Sequence, residues 1–425
     1  MKPCKIMGVL DNGIDSLTSL ALIALQQADL VIGAERTLAL LETQISHAEK
    51  KDLGGHLKSV PDWILAAQKD NKKVVVLATG DPLFHGLASF LTKKLGTDHL
   101  EILPNVSTIA LAFAKFSIPW HDAKIISIHK KDTGEWRHGA GIEHGLYVLL
   151  QALTHEKKIA IFTSPENDPA RIARLLRIEK LDHFFDIYIA QNLLAEDENL
   201  IQDQPIKAIA EQSFNGNNIV ILQRKQPPHP EVLFGLNDTC FKQRKPDKGL
   251  ITKREVRAVS LAKMQLKADS LVWDIGAGSG SVGLEAARLC HQGYVYAIEK
   301  NIADFVIAGE NSQQLHIHNY QLIHAKAPEG LEIWPSPNAI FIGGTGGELA
   351  SLIHLCLQRL KTNGWLVMNF VTLENLNTAL ETLKSVQAYW DVVQIQASRS
   401  QPILHMNRMQ AENPVWIVSA QRESQ

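Results

Sequence analysis

At 425 residues the chain exceeds one ordinary hydrophobic core, so length alone predicts two or three domains. Its 45 acidic and 43 basic side chains nearly cancel, which excludes a general field for recruiting nucleic acid or an anionic membrane, so any anionic substrate must meet local positive charge. No apolar run approaches a membrane span, the start Met1-Lys2-Pro3-Cys4 has no signal-peptide core, and the four cysteines are scattered. The expectation is therefore a cytoplasmic protein with reduced thiols, without a disulfide frame or zinc cage.

In chain order, residues 1–225 alternate strand-like and helical runs. Ala28–Gly33, Lys73–Ala78, Lys124–Ile128 and Lys158–Thr163 read as strands. Leu17–Gln26, Phe84–Leu95 and Ser107–Phe116 carry helical periodicity. This alternation predicts an α/β fold with a largely parallel sheet. The strand ending at Ala78 runs into Thr79-Gly80-Asp81-Pro82, where Gly80 leaves room for a ligand and Pro82 stiffens the loop. Such a turn is common in itself. A second loop, Pro104-Asn105-Val106-Ser107-Thr108, has Ser107 placed to cap the following helix. Gly80, Asp81, Pro82, Ser107 and Thr108 are the candidate cofactor-binding residues of this half.

Composition changes at Gln226-Pro227-Pro228-His229-Pro230, and residues 226–248 read as a polar linker or lead-in arm. A second α/β domain is expected over 249–425, with strands near 271–274, 294–298, 338–342, 365–370, 391–397 and 415–419. Its most informative stretch is Val272-Trp273-Asp274-Ile275-Gly276-Ala277-Gly278-Ser279-Gly280-Ser281. It reads as a buried strand, a glycine-packed turn and a helix from Val282 to Leu289. The next strand ends in Glu299, placed to accept hydrogen bonds from two ribose hydroxyls.

A dinucleotide site wants its third glycine at position 281, where this chain has serine; the glycine comes one residue early, at Gly280. Asp274 would repel a pyrophosphate but suits a donor with an amino group and no phosphate. S-adenosylmethionine fits that description better than a nicotinamide dinucleotide or a plain structural turn. The expected cofactor contacts are Thr252, Asp274, Gly276, Ala277, Gly278, Ser279, Gly280, Glu299, Ala327, Gly343 and Gly344. Thr252 is expected as a helix N-cap with Glu255 as its capping-box partner. Lys253, Glu255 and Arg257, with Arg254 and Lys248 nearby, are the candidates for gripping or protonating a polycarboxylate substrate. His316-Ile317-His318 alternates like a metal motif, but without a carboxylate or cysteine nearby it reads as surface, so no metal is expected. His85, His121 and His129 read as structural or pocket-lining. The tryptophans of this half are assigned to core packing.

Val31–Arg36, Gly80–Pro82, Ile102–Thr108, Ser127–Lys130 and Phe162–Pro165 together, in order and spacing, resemble the tetrapyrrole (corrin/porphyrin) methylase family over most of residues 5–200. The resemblance implies a two-lobed α/β methyltransferase. Two departures stand out: Gly8-Val9-Leu10-Asp11-Asn12-Gly13 replaces a Gly-x-Gly-Pro-Gly loop, and Gln191–Glu196 replaces a glycine-bearing segment. Residues 249–418 are similar to the corrin-ring methyltransferases that also decarboxylate an acetate arm, with Ala325–Gly330 near the adenine and Gly343–Gly347 over the transferring methyl. The fused family implies methylation of carbons 5 and 15 of precorrin-6B, loss of CO₂ from the ring-C acetate, a polycarboxylate tetrapyrrole substrate and a homo-oligomer. It implies no nucleic-acid or membrane partner. Two alternatives stay open: a first half that only binds tetrapyrrole, and a methyltransferase acting on RNA or protein.

Overall fold

The computed structural model describes residues 2–84, 86–129, 132–226, 232–244, 251–344 and 347–422. The chain divides into one unit of Met1–Trp136 with His155–Pro227, and another of Arg137–Thr154 with Pro228–Gln425. His85, Lys130, the proline-rich 227–230, Lys248, Gly249, Leu250, Thr345 and Gly346, all named above, lie outside the described residues.

In the first unit, one five-stranded sheet is wholly parallel, in the order Glu49–Asp52, Leu30–Gly33, Val74–Thr79, Cys4–Val9, Leu100–Leu103. Its central strands are almost entirely buried β-branched and aliphatic residues, as parallel strands covered on both faces require. The helices Ser19–Gln26 and Thr108–Lys115 start where threonine and serine cap them: Thr18 accepts from Ala21 N and Ser107 from Ala110 N. The second sheet runs Lys124–Ser127, Lys158–Phe162, Asn218–Arg224, Phe185–Gln191, Asn199–Ile201, and only its first pair is parallel. The expected largely parallel character therefore holds for one sheet and not the other. A buried apolar run such as Ile219–Leu222 looks the same in either strand direction.

The second unit carries a seven-stranded sheet. Numbering its strands in chain order as Leu271–Ile275, Tyr294–Glu299, Tyr320–His324, Ala339–Ile342, Trp365–Phe370, Tyr389–Ile395 and Val415–Gln421, the spatial order is 3-2-1-4-5-7-6. The first five are mutually parallel and the seventh runs antiparallel between the fifth and sixth. The order reverses between strands 1 and 4. In a doubly wound sheet that reversal opens a crevice at the carboxyl ends of the strands, where ligands bind. Both glycine-rich loops, after Ile275 and after Ile342, leave the sheet there. A hairpin, Ser398–Ile403 with Met406–Ala411, pairs only with itself among the described residues.

Candidate functional site

The turn after Leu271–Ile275 is built from backbone. Gly276, Gly278 and Gly280 have φ of +71°, +56° and +78°, a region that side-chain-bearing residues avoid, so glycine at alternate positions is a steric requirement of this turn. Gly276 N and Ala277 N both donate to Ile298 O, at 3.0 and 3.1 Å, and fasten the turn to the neighbouring strand. Helix Ser281–Leu289 follows at once. The fourth-strand loop closes in from the other side: a Cβ on Gly276 would lie 2.6 Å from Gly344 O, and Gly343 N donates to Ile275 O at 2.9 Å.

The carboxylates sit where the sequence places them. Glu299 ends its strand nearly buried; Oε2 accepts from Gly278 N at 2.8 Å and Oε1 from Asn301 N at 2.7 Å. Each oxygen retains a lone pair for a ribose hydroxyl. Ala325 N donates to Glu299 O at 3.2 Å, which brings the Ala325–Gly330 turn, and with it Ala327, beside this residue.

Asp274 is buried. Its Oδ2 accepts from Gly283 N at 3.1 Å, while Oδ1 has no hydrogen-bond partner among the described residues. Burial pushes its carboxyl up to about 7, the Gly283 N–H pulls the other way, and the charge of Glu299 adds to the rise. Asp304 is also raised, by partial burial first, with Arg244 opposing and Glu299 adding. Glu299 thus raises both Asp274 and Asp304, the latter ion-paired to Arg244 at 2.9 Å, and this acidic surround disfavours a pyrophosphate and suits a cationic ligand.

Two further buried polar atoms, Ser279 Oγ and Tyr320 Oη, lack hydrogen-bond partners among the described residues. Tyr320 packs over the helix start: a Cβ on Gly280 would lie 3.3 Å from its hydroxyl. Buried groups of this kind need a bonding partner, which a ligand or an ordered water supplies. Together with Asp274 Oδ1 and the lone pairs of Glu299, they fit a nucleoside-like group with a polar, positively charged end.

Sequence reading missed Tyr320, Asp304 and Asn311. The Asn311 amide donates to Ser279 O at 2.8 Å and Lys242 O at 3.1 Å, and its Oδ1 accepts from Lys242 N at 2.8 Å. It thus holds residues 232–244 against the glycine turn. That segment, expected as a linker, is irregular but bound. Phe241 is in the core, and Gly235 N and Leu236 N donate to the Glu285 carboxylate at 2.6 and 3.0 Å.

The expected substrate-gripping residues divide. Arg257 is wholly buried: Nε donates to Glu285 Oε1 at 2.7 Å, Nη1 to Thr252 O at 2.6 Å and Asp238 Oδ1 at 3.2 Å, and Nη2 to Leu236 O at 2.5 Å. It also lies 4.9 Å over the Phe241 ring. With its fork so occupied it cannot take a substrate carboxylate, and it joins the 232–244 segment to two helices instead. Glu255 accepts from Arg399 Nη2 at 2.5 Å. Partial burial pushes its carboxyl up, but the Arg399 hydrogen bond, its own backbone N–H and the nearby guanidinium charges outweigh this and hold it below the usual range. A carboxyl held ionised is a poor proton donor.

The N-cap of helix Arg254–Lys263 is Lys253, not Thr252, and no side chain caps it; Thr252 serves through its carbonyl instead. Lys253 is half-buried and forms no ion pair among the described residues, so it alone of the three keeps a free charge. His316–His318 occupy the turn before strand Tyr320–His324.

In the first unit, Asp81, Thr108, His129, Thr163 and Ser164 help to line a cavity of about 600 Å³. Gly80, at φ +68°, donates its N–H to Val9 O at 2.9 Å, and a Cβ on Gly8 would collide with Gly80 O, so the two strand ends approach as only glycine allows. The Asn105 amide donates to Gly8 O at 3.0 Å and Ser16 O at 2.9 Å, which fixes the first loop. Asp81 Oδ1 accepts from Leu83 N at 2.8 Å across Pro82. In the segment that stands where a glycine-bearing one was expected, Asn192 and Leu194 take the left-handed backbone that glycine favours, with φ of +48° and +66°.

Comparison with known proteins gives matches over both halves of the chain. Residues 7–210 match the family of Tetrapyrrole (Corrin/Porphyrin) Methylases, and residues 244–422 match the Precorrin methyltransferase domain. The chain is 26% identical over 423 residues to a precorrin-6Y C(5,15)-methyltransferase (decarboxylating) of Sinorhizobium sp, covering 96% of this chain and 94% of that one. It is 37% identical over 174 residues to the cobalt-precorrin-6B C(15)-methyltransferase (decarboxylating) of Salmonella typhimurium, covering 41% of this chain and 90% of the relative. The crystal structure of a precorrin-6y C5,15-methyltransferase from Geobacter metallireducens GS-15 aligns with a TM-score of 0.43 at 37% identity, covering 45% of this chain and 99% of that one. The chain therefore belongs to the decarboxylating precorrin methyltransferases, in the fused form that carries a tetrapyrrole methylase domain ahead of a precorrin methyltransferase domain.

Proposed function

We propose that this enzyme methylates carbons 5 and 15 of precorrin-6B with S-adenosylmethionine and releases CO₂ from the ring-C acetate, a step of cobalamin biosynthesis. The observation that carries the reading is the Gly276–Gly280 turn with its acidic surround and orphaned Asp274 Oδ1. Residues 1–225 are assigned to carbon 5. Residues 249–425 are assigned to carbon 15 and the decarboxylation, a reading supported by the relative named for carbon 15 alone, which this chain matches over 174 residues.

When bound, S-adenosylmethionine supplies an electrophilic methyl. Glu299 would hold the ribose hydroxyls, Asp274 and Asp304 would face the cationic end, and the glycine loops would bring backbone against the donor and keep water away. In the first unit Gly80, Asp81, Pro82, Ser107 and Thr108 would hold the second donor. The nucleophilic carbon belongs to an electron-rich macrocycle, so positioning in a dry site contributes more than a strong base. Lys253 is the residue left to meet a substrate carboxylate in the second unit.

A homo-oligomer in the cytoplasm completes the reading. Among the described residues the hairpin Ser398–Ala411 forms no strand pairing beyond itself; Arg399 ties it to Glu255 and Asp238, while Leu404 at its tip is 90% exposed, an apolar surface that a second copy would cover.

The test is mass spectrometry of products from precorrin-6B and S-adenosylmethionine, for the full chain and for Glu299→Leu. The full chain is expected to add two methyls and lose one CO₂; the variant is expected to add one methyl, at carbon 5, and keep its carboxylate. A wild-type product that gains one methyl and loses one CO₂ would restrict activity to the second unit. An unchanged tetrapyrrole mass would refute the substrate assignment.

A further inference from the structure

The first unit's cavity contains an ion pair that its donor-binding loops do not need. Asp11, on the turn after strand Cys4–Val9, and Arg36, in the first turn of helix Glu35–Leu40, both line the cavity. Asp11 Oδ2 and Arg36 Nη1 meet at 2.8 Å.

The two partners are unequally placed. The Asp11 side chain is 12% exposed and its Oδ1 is buried with no hydrogen-bond partner among the described residues. The Arg36 side chain is 48% exposed and forms no other ion pair among the described residues. A loop-to-helix clamp would serve as well with both oxygens in water, because exposed ion pairs add little and a buried, donorless carboxylate oxygen is costly. The cost is understandable if something entering the cavity brings the missing donor.

A tetrapyrrole has the complementary chemistry. Its rim carries carboxylate arms and its inner edge carries N–H groups. Asp11 occupies one nitrogen of the Arg36 fork and leaves the others free for a carboxylate. Asp11 also keeps the guanidinium oriented while the cavity lacks substrate.

We propose that Asp11 and Arg36 are substrate-contacting, specificity-determining residues of the first unit: Arg36 takes a carboxylate arm of the macrocycle, and Asp11 Oδ1 accepts a hydrogen bond from a ring N–H. The inference rests on the reading that this unit methylates carbon 5 of precorrin-6B.

The test uses the full-length chain with precorrin-6B and S-adenosylmethionine, scoring carbon-5 and carbon-15 methylation separately by fragmentation mass spectrometry. Arg36→Ala is expected to raise KM for the tetrapyrrole in carbon-5 methylation by about tenfold, the loss of one charge-assisted contact. Arg36→Lys should recover part of this, and Asp11→Asn, which presents an amide to a ring N–H, should lower carbon-5 kcat/KM several-fold. Affinity for S-adenosylmethionine, carbon-15 methylation and CO₂ release should stay at wild-type values. With precorrin-6B whose carboxylates are methyl esters, wild type and Arg36→Ala should bind alike.

An unchanged carbon-5 KM in Arg36→Ala overturns the proposal and leaves a clamp. A fall in donor affinity parallel to the rise in KM overturns it too, because the pair would then shape the donor site. If the wild-type chain adds no methyl at carbon 5, the broader reading of this unit fails. The pair is then judged by tetrapyrrole binding followed in visible absorption, where equal affinity of wild type and Arg36→Ala refutes it.

Discussion

Arg257→Ala in the full-length chain is expected to unfold the second unit early and to leave its hold on substrate unchanged. The guanidinium is fully buried and makes bonds to Glu285, Asp238, Thr252 and Leu236. Truncating it strands the Glu285 carboxylate, itself wholly buried, with only the N–H groups of Gly235 and Leu236 as partners. Removing one partner of a buried pair costs about 3–5 kcal/mol. At about 2–4 °C per kcal/mol for a unit of this size, the transition should fall by roughly 6–20 °C. Calorimetry of wild type and variant reads that shift, and the tetrapyrrole KM for carbon-15 methylation is then measured below both transitions. Arg257→Lys should recover less than half of the loss, since an ammonium cannot reproduce the fork. Arg257→Met combined with Glu285→Gln should recover more, because both charges go and the glutamine oxygen still accepts from the 232–244 segment. An unchanged transition with a raised KM would refute the network argument and return Arg257 to the substrate.

Asp274→Asn should flatten part of the pH dependence of stability. The folded-state carboxyl is raised to about 7, so between the unfolded value and 7 the folded chain holds a proton that the unfolded chain has released. Its contribution is complete at low pH and is lost as pH rises through about 7; urea midpoints of variant and wild type should therefore diverge in the variant's favour over that window, each unit of displacement being worth about 1.4 kcal/mol. A constant difference across the window would refute the assignment. Gly283→Ala should weaken donor binding at one of the two sites in calorimetric titration. Its Cβ would run into the Asp274 carboxylate and lie 2.8 Å from Tyr320 Cε2, and overpacking of about 1–3 kcal/mol outweighs the helix-propensity gain of about 1 kcal/mol. Asn105→Ala strips the Gly8 and Ser16 carbonyls of a donor, a cost of about 1–3 kcal/mol; carbon-5 methylation should fall while carbon-15 methylation and CO₂ release persist in the same product analysis.

What could be read from sequence was what backbone geometry dictates locally. Three glycines at alternate positions are demanded by three positive φ angles, and a strand-ending Glu299 lands beside them because the neighbouring parallel strand stops at the same level. Strand direction in the first unit's second sheet was not legible, because alternation and burial do not encode it. Tyr320–His324 escaped notice because its polar and aromatic residues show no clear period, although its Tyr320 supplies one of the site's orphaned groups.

Arg257 shows the deeper limit. A run of cations at a helix start looks the same whether it faces a substrate or a buried carboxylate, and the partners that decide, Asp238 and Glu285, lie 19 and 28 residues away in opposite directions. The pairing also explains why 232–244 was read as a linker. Its apolar residues, among them Phe234, Leu236 and Phe241, follow neither a strand nor a helix period, and much of its attachment runs through backbone N–H and C=O groups to Glu285, Asn311, Arg257 and Arg288. Backbone-mediated attachment leaves little trace in the attached segment's residue types. The trace falls on the residues that receive it, and those are buried polar side chains, Glu285 and Asn311, on helices that otherwise read as ordinary amphipathic ones.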